Sequence, residues 1–414
     1  VVAPARTVQL RGPLTMRTDD ANARALSRVH AVRPQWRAVV AARDAVRLPD
    51  LTLLHAGPPF DNPREPSAPV RSSAVLCCLY EGWANDEAHA ERLIAQGEVR
   101  LECAQSYGVV TPLAAVISPR TMLVEVNDAN DPAARAWSLL GSGAGPQIRF
   151  GGRDPRVLDR MTWRDRVLAP ALDAALACGP IDLFALAQSG LDDGDDLHAR
   201  TTAATAALRA LLAPRLTDAS AEIDAMLAQT PLFFLTPWMA ACALMLSAAA
   251  RAGDASSTLV VALAGNGERV GIRLAGAPSQ WITAAARAPE GPRIDPQQQA
   301  EAAPLTGDSG VIDAAGFGAQ ALAFAPEPAH AFEAYLPTGW RERQARIHTA
   351  PHPAFARLPG VLDAARVERE GIAPLAAIAM IGGDGRAGLL GRGLYTAPPE
   401  LFARAIKNLS GDAP

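Results

Sequence analysis

Thr258-Leu-Val-Val-Ala-Leu-Ala264, then Gly265-Asn266-Gly267, then Val270-Gly-Ile-Arg273-Leu274 is the stretch that decides the fold class. Two apolar, β-rich runs joined through Asn-Gly read as a hairpin, because that dipeptide accepts the left-handed backbone a tight turn demands. From residue 257 onward the chain alternates Gly turns with short apolar runs. A polar, Pro/Gln-rich loop spans 289–304, and a helix is expected over 398–409. Upstream the pattern changes. Residues 154–177, 197–212 and 219–250 carry helical periodicity on Ala-rich faces. The first third mixes both kinds: a helix over 20–46, a strand over 51–55 entering Gly57-Pro58-Pro59, and two helical pieces over 72–95 broken near Gly82. Strands are expected there over 99–103, 114–118 and 122–126. The class is therefore α/β in the mixed α+β sense. An arm (1–20) precedes an N-terminal α/β domain (21–150), a mainly helical domain (151–252) and a C-terminal α/β domain rich in Gly turns (253–414).

Composition narrows the function. The 414 residues are 49% hydrophobic and 20% charged, enough apolar side chain for sizeable cores. A net charge of −4 gives no basic excess for a phosphate backbone or an anionic membrane, so no nucleic-acid partner is expected. Lys407 is the only lysine, which leaves 38 of the 39 basic residues as arginine and excludes lysine chemistry upstream of it. Residues 225–250 carry no formal charge, yet Pro231, Pro237 and their many small and polar residues indicate a buried helix rather than a membrane span. The five cysteines form no CxxC pair, and the first residues lack an apolar signal core; both point to reduced thiols and a cytoplasmic protein. The seven histidines give no HExxH or other close ligand pair, so no metal and no cofactor is expected.

Three glycine motifs carry candidate chemistry. Gly383-Asp-Gly385-Arg-Ala-Gly388 matches a dinucleotide fingerprint, but further glycines follow where a helix must start, so it reads as a structural turn. Gly141, Gly143 and Gly145 form either a phosphate-holding nest of amides with Arg149 as counter-charge or a plain domain-junction loop. Gly307-Asp308-Ser309-Gly310 has the letters of a serine-protease nucleophile without its companions; it still places a carboxylate and a hydroxyl together. The acidic run Asp192, Asp193, Asp195 and Asp196 reads as a solvated loop capping the helix that holds His198.

Further residues resemble one family in collinear order. Leu51-Thr-Leu-Leu-His55-Ala-Gly-Pro-Pro59, Leu79-Tyr-Glu-Gly-Trp83, Arg149-Phe-Gly151, Gly194-Asp-Asp-Leu-His198-Ala-Arg200, Asn266-Gly267, Gly271-Ile-Arg273, Trp281-x-Thr283 and Gly307-Asp308-Ser309 are similar to the YlbE/YahG-like family. The resemblance runs over about 21–402. It implies an AllG-like subunit of the oxamate carbamoyltransferase complex, which converts oxalurate and phosphate to oxamate and carbamoyl phosphate in allantoin breakdown. An FdrA-like subunit, an intact YlbE-like paralogue, or both would be partners in a homo- or hetero-oligomer. The departures fall on ionisable positions. A Cys-His-His run is replaced by Ala104, Gln105 and Ser106, and an Asn-Glu pair by Gly141 and Ser142. Lysines are replaced by Pro146 and Ala243, an arginine by Gly265, a His-Lys pair by Gly382 and Gly383, and a glutamine by Leu389.

Two readings follow. One is a catalytically degenerate paralogue, a pseudoenzyme with a structural or regulatory role. The other is an active transferase retuned to a different, more apolar carbamoyl or acyl substrate. In the second, Asp308, Ser309 and His198 are the catalytic candidates. Arg149, Asn266, Arg273, Trp281 and Thr283 would line the pocket, with the two arginines clamping a small carboxylate or phosphate.

Overall fold

The computed structural model describes residues 13–216, 220–250 and 254–411. Residues 1–12 of the expected arm and the boundary at 252–253 lie outside them. The class is mixed α+β, as the hairpin stretch indicated. The opening helix runs Pro13–Ala31, so it starts before residue 20 and does not reach 46. Pro34 forbids its continuation, and Trp36, Val39 and Val40 suit a pleated, half-buried surface instead.

The first half of the chain supplies β1 (Pro34–Ala41), β2 (Thr52–His55), β3 (Arg100–Cys103), β4 (Val109–Val110), β5 (Met122–Asp128), β6 (Arg135–Leu139) and β7 (Ile181–Asp182). Five of these make one sheet in the order β4-β6-β5-β1-β7, antiparallel except for the β4–β6 pair. β2 and β3 pair in parallel beside it. Residues 114–118 do not form the expected strand; only Ile117 bridges, to Leu54. In the helical middle the segment read over 154–177 is a helix from Arg156 with a π-turn, Arg164–Leu168, inside it; the helix read over 197–212 begins only at Thr202, and an unexpected helix, Leu183–Asp192, precedes it. The segment expected as one helix over 219–250 is two, Ser220–Ala228 and a central helix, Leu235–Ala250, separated around Pro231.

The second half supplies β8 (Val260–Asn266), β9 (Arg269–Leu274), β10 (Ala277–Ala285), β11 (Thr306–Gly307), β12 (Leu375–Ala377), β13 (Met380–Ile381), β14 (Leu389–Gly391) and β15 (Leu394–Thr396). The hairpin is there: β8 pairs β9 antiparallel inside a sheet ordered β10-β9-β8-β11. The Gly383–Gly388 motif is the turn between paired β13 and β14, with the Asp384 carboxylate accepting from the Arg386 and Ala387 amides at 2.8 and 2.9 Å. No helix starts in that turn to hold a pyrophosphate.

The central helix explains why 235–250 lacks charge. It packs against β5 and β6 on one side and β8 on another, so most of its circumference is buried and apolar, the exception being the stripe Ala243, Ser247 and Ala250. Among the described residues, no helix is long and apolar enough to cross a membrane. The two halves meet where Gly57 crosses Gly265. Gly57 has φ +80°, and a Cβ there would stand 2.4 Å from the Gly265 carbonyl carbon. A side chain at residue 57 would block that crossing, and a Cβ at Gly265 would stand 2.2 Å from the Leu305 carbonyl oxygen on its other side.

Candidate functional site

Asn266 and Asp308 tie that crossing together. The Asn266 carboxamide accepts from the Glu268 and Arg269 amides at 2.9 and 2.8 Å, closing its own turn, and donates to the Pro58 carbonyl at 3.0 Å. Its role is to brace the Gly57-Pro58-Pro59 loop, and its amide is fully used in doing so. Asp308, just past β11, accepts from Gly57 N (2.9 Å), Gln105 Nε2 (2.7 Å) and Thr111 N (2.9 Å). These donors favour the carboxylate, but complete burial outweighs them and pushes the carboxyl up to about 6.

The next residue, Ser309, looks into a cavity of about 320 Å³ where the three sequence segments meet. Leu113, Arg149 and Phe150 come from the first segment, His198, Arg200 and Leu235 from the helical one, and Ile294, Ser309 and Leu389 from the last. The wall is predominantly apolar. Three arginines border it; Arg200 is paired with Asp195 at 2.7 Å and Arg392 with Glu327 at 2.6 Å, which sets Arg149 apart. It sits in a short 3₁₀ turn, Ile148–Phe150, fixed from both sides: Ser73 Oγ donates to the Ile148 carbonyl at 2.8 Å, and Ala114 N to the Arg149 carbonyl at 3.0 Å. The guanidinium is buried, lies 4.9 Å from the Phe150 ring centroid, and makes no ion pair among the described residues. Its Nε has no acceptor. Burial alone draws it down to about 10, so it remains a cation at neutral pH with nothing opposing its charge.

His198 lines the same cavity with its other side anchored. Its Nδ1 meets Asp313 Oδ2 at 2.7 Å, and the other Asp313 oxygen accepts from the Ala319 and Ala377 amides at 2.8 and 3.0 Å. A carboxylate against Nδ1 selects the tautomer with the proton there, leaving Nε2 as an acceptor. His198 is not in the following helix, which begins at Thr202. It is presented by a turn in which Leu197 has φ +69°. Asp196 holds that turn by accepting from the His198, Ala199 and Arg200 amides. Asp195 and Asp196 are thus buried braces, not solvated caps; Asp195 does accept from Ala204 N in the helix's first turn, at 2.9 Å. Leu113, in the cavity wall, also has positive φ, +49°. A left-handed leucine costs roughly 1–2 kcal/mol and persists only where its surroundings enforce it.

The remaining candidates separate. Gly141 and Gly143, with Arg149, border a void of only about 10 Å³, whereas Gly145 does not border it. That loop spends its carbonyls on Arg160 and Gln147. Arg273 is not beside Arg149. It opens into a different cavity with Gln105, and Trp281 stacks on it at 4.9 Å. Thr283 borders neither cavity; its carbonyl accepts from Arg404. Sequence reading missed Asp313, which lies in the featureless apolar run Gly310-Val-Ile-Asp313-Ala, and Leu113, whose only signal is its place after Thr111-Pro112.

The fold thus gathers a buried guanidinium with no ion pair among the described residues, a carboxylate-held imidazole and a hydroxyl around one largely apolar cavity. The same fold is found in the crystal structure of a conserved protein of unknown function from Enterococcus faecalis V583, with a TM-score of 0.89 and 25% identity, covering 97% of this chain and 99% of that one. Sequence comparison is more specific. The family model for the oxamate carbamoyltransferase subunit AllG matches residues 99–309. The oxamate carbamoyltransferase subunit AllG of Escherichia coli strain K12 is 32% identical, over 94% of this chain and 97% of its own length. The uncharacterized protein YahG of the same strain is 28% identical, over 95% of this chain and 86% of itself. The chain belongs to the AllG family.

Proposed function

We propose that this chain is a ligand-binding subunit of a carbamoyltransferase-type assembly, active on a carbamoyl or acyl compound with a carboxylate head and an apolar body. One observation carries the reading: Arg149 is a buried guanidinium without a counter-ion among the described residues, bordering a cavity large enough for a small molecule. A ligand carboxylate would supply the missing charge in bidentate fashion. His198, oriented by Asp313, would move a proton through Nε2, and Ser309 would hydrogen-bond the ligand. Leu389 lines this cavity where the family resemblance implies a glutamine, so the wall has shifted toward a more apolar ligand.

A degenerate, regulatory role is the second reading, and Gln105 and Ala243 favour it. Both stand where the resemblance implies ionisable groups, and both line one cavity. In either case the partners would be an FdrA-like subunit or an intact paralogue, in the cytoplasm and within purine or allantoin breakdown.

The test is carbamoyl transfer by the purified chain, alone and with its genomic neighbours. Oxalurate and an apolar ureido acid, N-carbamoyl-leucine, would each be supplied with phosphate. The proposal expects turnover that prefers the apolar substrate and falls by about 10²–10⁴ in His198→Gln. Turnover that needs a second family member and survives Arg149→Gln in this chain would overturn it in favour of the degenerate role.

A further inference from the structure

Arg273 was paired with Arg149 in the sequence as one clamp, yet the fold puts them in cavities that share no lining residue. The Arg273 cavity, about 160 Å³, lies between the β4–β6 edge, the central helix and the β8–β9 hairpin. Ser309 borders one cavity and Val311 the other, so the segment after Asp308 is the partition between them.

In this second cavity, too, no carboxylate touches the Arg273 guanidinium among the described residues. Arg273 Nη1 donates to the Pro278 carbonyl at 3.0 Å and Nη2 to Gln105 Oε1, both neutral acceptors. Its Nε is buried with no acceptor, and no ion pair is formed among the described residues. The other guanidinium in the cavity, Arg135, is paired with Glu125 at 3.3 Å. Asp308 is the carboxylate in line with Arg273, but the Gln105 amide stands between them, donating to one and accepting from the other. The rest of the wall, including Val110, Ala243, Val261 and Val311, offers no charge.

We infer that this cavity is a second anion site, for a compact oxyanion that presents its oxygens to the Arg273 guanidinium. A cavity of about 160 Å³ has room for a compact oxyanion such as phosphate. The chain would then hold two small anions at once, on opposite faces of residues 309–311. The inference does not depend on the identity of the ligand at Arg149.

Trp281, stacked on Arg273, is a built-in reporter. The experiment is a titration of the full chain with inorganic phosphate at constant ionic strength, read by tryptophan fluorescence. The expected result is a saturable change that is retained in Arg149→Gln and lost in Trp281→Phe. It should weaken at least tenfold in Arg273→Gln and in Ala243→Leu, which fills the cavity without touching the guanidinium. Unchanged circular dichroism and melting temperature establish that each variant is folded. A change reproduced by chloride, or one lost in Arg149→Gln and kept in folded Ala243→Leu, would overturn the second site.

Discussion

Arg149 and Arg164 both border the small void beside the Gly141 loop, and both are buried, yet they are opposites. Arg164 grips its neighbour Asp165 through Nε and Nη2, the latter at 3.0 Å, and Tyr80 adds a hydroxyl to the same carboxylate. The pair outweighs burial, and the Arg164 guanidinium is held above its ordinary range. Arg149 has only burial, and falls below it. A fold that supplies a counter-ion to one guanidinium and withholds it from its neighbour across a shared void uses the first for structure. The second is the one we propose for a ligand.

That contrast breaks most visibly in stability. Arg164→Gln breaks the ion pair and leaves the half-buried Asp165 carboxylate with the Tyr80 hydroxyl as its remaining donor, at an expected cost of about 3 kcal/mol in urea unfolding. Asp313→Asn comes next. It keeps the shape but opposes an amide to one of three donors, for an expected loss of about 1–3 kcal/mol, and it shifts the His198 tautomer seen by ¹⁵N NMR.

Asp308 sharpens the comparison through pH. The folded protein holds its proton up to about pH 6, and the unfolded chain releases it near 3.8. The carboxyl therefore stabilises fully below 3.8, and that contribution is lost as pH rises through 6. Replacing it with Asn removes the loss, so Asp308→Asn should gain about 2–3 kcal/mol on wild type between pH 4 and pH 7, whatever its offset at pH 4. A constant difference across that range would place the titration elsewhere. Arg149→Gln is the smallest effect expected, within about 1 kcal/mol of wild type, because no partner is orphaned.

What the sequence disclosed followed local chemistry. The Asn-Gly hairpin, the uncharged central helix and the Gly turns were legible because each is written within about twenty contiguous residues. The strand β1 was not, since Ala-rich text around Trp36 fits helical spacing until Pro34 is given its weight. Arg149, His198 and Ser309 were legible as chemistry-bearing residues, and the fold brings them to one cavity. Arg273 was assigned to the same clamp because nothing in a linear text shows which side of residues 309–311 a side chain reaches. Asp313 was invisible for the same reason: its partner, His198, is more than a hundred residues away.

Calorimetric titration of N-carbamoyl-leucine and oxamate into wild type and Arg149→Gln reads out whether Arg149 holds the ligand carboxylate. Wild type is expected to bind both, the apolar ligand more tightly, and Arg149→Gln to lose at least a hundredfold in affinity for each while its unfolding is unchanged. Equal binding by the folded Arg149→Gln variant would contradict it.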